Sequence, residues 1–160
     1  MEPNPFTVRS ATPADAPLMG ALINAAFSIE TFLEGLRTSE AELTAMMEKG
    51  EILLAFGGTG GMVASVYVEI RGARGYFGML AVDRDQQGKG LARVMVQAAE
   101  DFCRKQDCAF MDLTVLSLRP ELPPLYSKLG YVENGTEEFR PSRPLKKGLE
   151  CHCIVMSKPL

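Results

Sequence analysis

Apolar positions recur with a helical period most clearly between residues 91 and 102. Leu91, Val94, Met95, Ala98, Ala99 and Phe102 follow the i, i+3, i+4, i+7 pattern. Arg93, Gln97, Glu100, Asp101 and Arg104 fall on the other side. A helix this amphipathic packs on a sheet, and short apolar runs supply the strands. Residues 6–9 predict a first strand and 52–56 a second. The glycines at 57–61 predict a hairpin turn that returns the chain through 62–70. A turn at 71–75 leads into a fourth strand at 76–82, and residues 109–116 predict a fifth. Tyr131-Val132 begins another strand, and residues 151–157 predict the last.

Capping residues mark further helices. Thr12, Pro13 and Asp15 open one: Thr12 as N-cap, Pro13 in the first turn, Asp15 at the positive end. Its apolar face is expected from Leu18, Ala21, Leu22 and Ala25, to about Phe27. Ser39 with Glu42 three residues on is a capping-box signal for a second helix ending near Gly50. Residues 28–37 fit a helical extension or a loop. Pro123-Pro124 starts a short helix over 125–129, stopped by Gly130 as its cap. Residues 140–148, with two prolines and several basic side chains, predict a loop. The order is strand, two helices, three antiparallel strands, helix, strand, helix, two strands. The strands at 76–82 and 109–116, joined through a helix, should be parallel neighbours.

Composition narrows the function classes. The 160 residues suit one domain, residues 1–160, with an adequate core. Seventeen basic and twenty acidic residues give a net charge of −3, against a general nucleic-acid binder. No apolar run reaches membrane-spanning length, and the segment Met1-Glu2-Pro3-Asn4-Pro5 lacks the plan of a signal peptide. The four cysteines show no secreted-type framework, so a cytoplasmic location is expected.

Gln87-Gly88-Lys89-Gly90-Leu91-Ala92 carries the most chemistry. A strand runs out, a glycine-rich turn follows, and a helix begins. That order turns backbone N–H groups toward one point at a positive helix end, which binds phosphate. Gly88 and Gly90 leave no side chain in a ligand's way, and Lys89 adds positive charge nearby. The glycines at 57–61 lack a following Lys-Ser or Lys-Thr pair, against the phosphate-loop pattern.

The segment 87–92 fits the Gln/Arg-x-x-Gly-x-Gly/Ala signature of the GNAT-type N-acetyltransferases. Tyr126-Ser-Lys-Leu-Gly130-Tyr131 resembles that family's second signature, Tyr-x-x-x-Gly-aromatic. The order of elements is similar over nearly all of the chain. The resemblance implies a mixed α/β (α+β) fold: a mostly antiparallel sheet of about seven strands, splayed between strands 4 and 5 and flanked by about four helices. It implies acetyl-CoA as donor, its pyrophosphate on the N–H groups of Gln87, Gly88, Lys89, Gly90, Leu91 and Ala92. The pantetheine arm would lie in the splay, paired with the fourth strand at Leu80, Ala81 and Val82 as an added strand. The N–H of Leu80 would face the thioester carbonyl, where negative charge grows. Tyr126 matches the tyrosine that protonates the departing thiolate, although a core aromatic is the plainer reading of the residue alone.

Two positions depart from the family pattern. The early fourth strand offers Tyr76, Phe77 and Gly78 where some members carry a glutamate base. Glu69, Asp112 or a water chain then remain as bases. Arg119 stands seven residues before Tyr126, where many members place a cofactor-touching asparagine. It suits the cofactor, an acidic acceptor or a loop cap equally. Glu30, Glu34, Glu137 and Glu138 would favour a cationic acceptor, unless they are merely solvated.

Cys151-His152-Cys153 invites a metal reading, but neighbours on a strand point to opposite faces and no further ligand pair follows. Cys103 and Cys108 read as small hydrophobes. The expectation is therefore an acetyl-CoA-dependent N-acetyltransferase without metal, taking a primary amine of a small molecule or protein. Neither nucleic acid nor membrane is expected as a partner, and a homodimer stays open. The rival classes are a non-catalytic acyl-CoA sensor and a nucleotide-binding regulator.

Overall fold

A computed structural model describes residues 5–140 and 143–160. Residues 1–4, read above as no signal peptide, and 141–142 of the 140–148 loop lie outside the described residues. Seven strands form one sheet: β1 (Thr7–Ser10), β2 (Glu51–Phe56), β3 (Met62–Arg71), β4 (Arg74–Val82), β5 (Phe110–Leu116), β6 (Val132–Glu138) and β7 (His152–Pro159). Among the described residues four α-helices accompany them: α1 (Ala16–Phe27), α2 (Glu40–Lys49), α3 (Leu91–Lys105) and α4 (Leu122–Ser127). The strand order is β1-β2-β3-β4-β5-β7-β6, antiparallel except where β4 meets β5. The last two strands exchange places, so β7 lies inside and the polar, wholly exposed β6 forms an edge.

Both faces of the sheet centre are covered. In β2, Leu53 and Ala55 join the core under α3, while Ile52 and Leu54 join the core under α1 and α2. This is why residues 52–56 read as an unbroken apolar run. Ser39 caps α2 as expected, its hydroxyl accepting from the Glu42 N–H at 3.2 Å. At Thr12 the chain first makes a 3₁₀ turn (Pro13–Asp15), the Asp15 carboxylate accepting from the Thr12 N–H at 2.8 Å. Residues 28–37 belong to no helix. An isolated bridge between Leu33 and Leu145 ties them to the β6–β7 connection.

Two helix faces differ from expectation. In α1 the buried residues are Ala16, Met19, Gly20 and Ile23, while Leu18 is 67% exposed. Apolar residues occur all round α1, so periodicity could not choose the face. In α3, Glu100 is buried although it was placed on the polar side. It accepts from the Tyr131 hydroxyl at 2.7 Å and from Lys158 Nζ at 3.1 Å, which supplies the partners a buried carboxylate needs. The short helix α4 begins earlier than expected, with Pro123 and Pro124 inside its first turn.

Candidate active site

The parallel strands β4 and β5 pair only from Arg74–Phe110 to Tyr76–Asp112. Beyond that point they part, and a cavity of about 780 Å³ opens between them. Leu80 of β4, Thr114 of β5, Tyr126 of α4 and Arg119 line it. Residues of the 28–37 segment and of the β6–β7 connection, including Glu30 and Arg143, also line it.

On the β4 side the backbone is irregular. Ser65 pairs with Ala81 and Tyr67 with Gly78, so β4 holds one extra residue there. Met79 sits in this bulge at φ +52°, a region a non-glycine residue rarely adopts. A bulge turns a backbone group out of its ladder, and strain of this kind gathers at functional sites. Sequence reasoning missed it, although a glycine inside a strand, here Gly78, is a bulge signal.

Tyr126 is 7% exposed and packs edge-on against Phe77, ring centroids 5.9 Å apart. Tyr131 completes the aromatic trio, 5.8 Å from Phe77 and 6.3 Å from Tyr126. Tyr126 is thus both a core aromatic and a lining residue of the cavity. Among the described residues no group hydrogen-bonds its hydroxyl. Burial pushes its pKa up to about 12, with Arg119 pulling the other way. Gly130, at φ +97°, ends the turn after α4 and lets Tyr131 return to the trio.

The glycine turn has the expected geometry. Gly88 and Gly90 stand at φ +83° and +77°, and a Cβ on either would meet nothing within 4 Å. Among the described residues, the N–H groups of Gly88, Lys89, Gly90, Leu91, Ala92 and Arg93 have no hydrogen-bond acceptor. An open cradle of donors at the start of a 15-residue helix fits a diphosphate. The turn does not line the cavity itself, but Leu91 at its end packs in one cluster with Leu80 and Val82. Gln87 precedes the cradle, its own N–H directed to the Arg84 carbonyl. Lys89 donates to Gln86 at 3.0 Å. Ala81 is buried under α1, and neither Ala81 nor Val82 lines the cavity, so only their backbone is available to a ligand.

Neither expected carboxylate base faces this cavity. Asp112 accepts two bonds of 2.7 Å from Arg74 and one of 2.6 Å from Ser157. The Arg74 guanidinium holds its carboxyl below the ordinary range against the effect of burial. Glu69 accepts from the Tyr67 hydroxyl at 2.7 Å and from Arg71. Burial works to raise its pKa, but these bonds outweigh it and keep the carboxyl low.

Glu30 is buried between two arginines, with Arg143 Nη2 at 2.6 Å and Arg119 Nη1 at 2.9 Å. It is therefore no free anion for a cationic acceptor. Glu34 lies outside the cavity lining, while Glu137 and Glu138 sit on its exposed wall. Sequence reasoning missed Arg143, which lies in a proline-rich loop without periodicity. It also missed Glu42, which reads as a capping residue and lines the cavity as well. His152 is exposed on β7 and Cys153 lines the cavity. No group of three metal-ligating side chains occurs among the described residues.

The family model for the acetyltransferase (GNAT) domain matches residues 18–142, and the chain belongs to that family. Solved structures agree on the fold. Ard1 from Thermoplasma volcanium superposes with a TM-score of 0.78 at 17% identity, covering 98% of this chain and 99% of that one. The ribosomal-protein-S18-alanine N-acetyltransferase from Escherichia coli gives 0.75 at 20%, covering 96% and 93%. A phosphinothricin acetyltransferase from Sinorhizobium meliloti, solved with AcCoA, gives 0.77 at 17%, covering 98% and 89%. A search of curated proteins returns no match.

Proposed function

We propose that this chain transfers an acetyl group from acetyl-CoA to a primary amine of a small molecule or protein, by direct attack. The observation that carries the reading is the splay cavity bordered by the β4 bulge and by Tyr126, with an open N–H cradle at the start of α3, beyond the 3₁₀ turn (Arg84–Gln86) that follows β4. The pyrophosphate rests on the free N–H groups of residues 88–92, with Gln87 leading into the turn, and the pantetheine arm runs along Leu80, Ala81 and Val82. The amine nitrogen attacks the thioester carbonyl; a C–N bond forms, the C–S bond breaks, and the N–H of Leu80 stabilises the oxyanion.

Tyr126 serves the leaving sulfur. A phenol at about 12 stays protonated at neutral pH. Full transfer to a thiolate with a pKa of about 8.5 is uphill. The hydroxyl therefore acts first as a hydrogen-bond donor while the sulfur gains charge, and the proton released by the amine completes the balance. Because Glu69 and Asp112 are tied outside the cavity, water accepts the amine proton. Incubating the protein with acetyl-CoA and mixed primary amines, and following free thiol, tests the reading. Thiol release that depends on both protein and amine is expected. Acetyl-CoA binding without amine-dependent release would leave a sensor instead.

A further inference from the structure

The less exposed part of the cavity lining carries three arginines and two glutamates. These are Arg37, Arg119 and Arg143, against Glu30 and Glu42. Glu30 spends one oxygen on each of Arg119 and Arg143. Arg37 stands 3.9 Å from Glu42, the outer limit of an ion pair, and its guanidinium lies over the Phe27 ring at 5.3 Å. The other partner of Arg119, Glu121, is half-exposed and outside the cavity. Glu137, Glu138 and Arg140 sit on the solvated wall, with Arg140 paired to Glu138.

A loop staple does not require this arrangement. The Leu33–Leu145 bridge and the bonds from Glu34 N–H to the Pro144 carbonyl and from Lys146 N–H to the Phe32 carbonyl already join the two loops. Within the lining Glu30 is shared by Arg119 and Arg143, and the further partner of Arg119, Glu121, stands 3.3 Å away on the exposed side, so the pair of guanidiniums gains from another anion inside the cavity. Burial pulls the Arg37 pKa below its ordinary value; Glu42 and Glu30 work to raise it again, and Arg143 adds to the lowering. Donors also remain. Each guanidinium carries five N–H groups, and among the described residues Arg143 uses one and Arg119 two.

We infer that Arg119 and Arg143 bind a carboxylate of the acceptor, so that the acceptor is an amino acid or a similarly small aminocarboxylate. This rests on the acetyl-transfer reading above. A carboxylate adds an anion beside two arginines that share the single Glu30, and its two oxygens suit paired guanidinium donors. The phosphates of CoA are not the intended anion, because the glycine turn that suits them is not part of this lining. Arg119 and Tyr126 line the same cavity, so a carboxylate held at Arg119 would direct an amine a few bonds away toward the splay.

The test is a panel of L-amino acids, each against its own amide, as acceptors in thiol release. A charge-assisted contact of this kind gives the acids a preference of about 10- to 100-fold in kcat/KM. Arg143→Gln should narrow that ratio toward one, and the ratio is internal, so a general loss of activity does not mimic it. Amides or polyamines used as well as the acids by the wild type would overturn the proposal whatever the variant does. A binding arm separates it from the catalytic reading. N-acetyl-L-amino acids, but not their amides, should raise the melting temperature of CoA-saturated protein. That difference without any turnover would sink the catalytic reading and keep the carboxylate site. Equal shifts with acid and amide would sink the site.

Discussion

Replacing Gly90 separates ligand chemistry from backbone strain. Gly90 caps α3 at φ +77°, and a Cβ there meets nothing within 4 Å. Gly90→Ala and Gly90→Glu therefore share one cost, that of an L residue in the left-handed region, about 1–2 kcal/mol. In a chain of this size that lowers the melting temperature by about 2–8 °C in both variants. Only the glutamate adds a carboxylate at the N–H cradle. At about 4 Å, one pair of like charges costs from about 1 kcal/mol in water to about 4 kcal/mol at a protein surface. Two phosphate charges give at least about 2 kcal/mol, or roughly 30-fold weaker CoA binding than in Gly90→Ala. Calorimetric titration with CoA reads the difference, and the gap should shrink in 1 M salt. Equal CoA affinity in the two variants would refute the phosphate assignment of the turn.

The point where β4 and β5 still pair should tolerate no added volume. A Cβ at Gly75 would lie 2.3 Å from Cys103 Sγ and 3.3 Å from Met111 Sδ. Gly75→Ala is expected to cost about 1–3 kcal/mol in urea unfolding, and an unchanged midpoint would contradict the packing described. Asp112 should make stability pH-dependent. Arg74 depresses its folded-state pKa, so its contribution is present above the unfolded value of about 3.9 and is lost as pH falls through the lower folded value. Asp112→Asn should thus be less stable than wild type at pH 7, with the gap closing below about pH 4; a gap independent of pH would refute the pairing.

Elements with strong local signals were legible. The α3 periodicity, the Ser39–Glu42 cap, the glycine turn and the parallel β4–β5 pair all stand as expected. Signals failed where tertiary partners decide. Glu100 reads as a surface residue until Tyr131 and Lys158 are seen beside it. The α1 face could not be chosen because Leu18 and Leu22 are as apolar as Met19 and Ile23. The site divides in the same way. Tyr126 and residues 87–92 were expected from the family resemblance; Tyr126 lines the cavity, and the turn at 87–92 lies outside its lining. The union of Glu30 with Arg119 and Arg143 spans 89 and 113 residues of sequence, beyond any local pattern. Of the expected bases, Glu69, Asp112 or a water chain, the two carboxylates are held by Arg71 and Arg74, pairings that local sequence does not show.

The most direct test of the account is the turnover rate of Tyr126→Phe. The substitution keeps the ring that packs on Phe77 and Tyr131 and removes only a hydroxyl that no described residue hydrogen-bonds. Stability and CoA affinity should therefore hold. With acetyl-CoA and any acceptor amine that supports thiol release, kcat should fall about 10- to 1,000-fold while the KM for acetyl-CoA changes little. Because burial raises the Tyr126 pKa to about 12, the wild-type rate should show no loss from Tyr126 ionisation between pH 7 and about pH 10. A Tyr126→Phe protein that acetylates at the wild-type rate would contradict the assignment and leave Tyr126 as a packing residue alone.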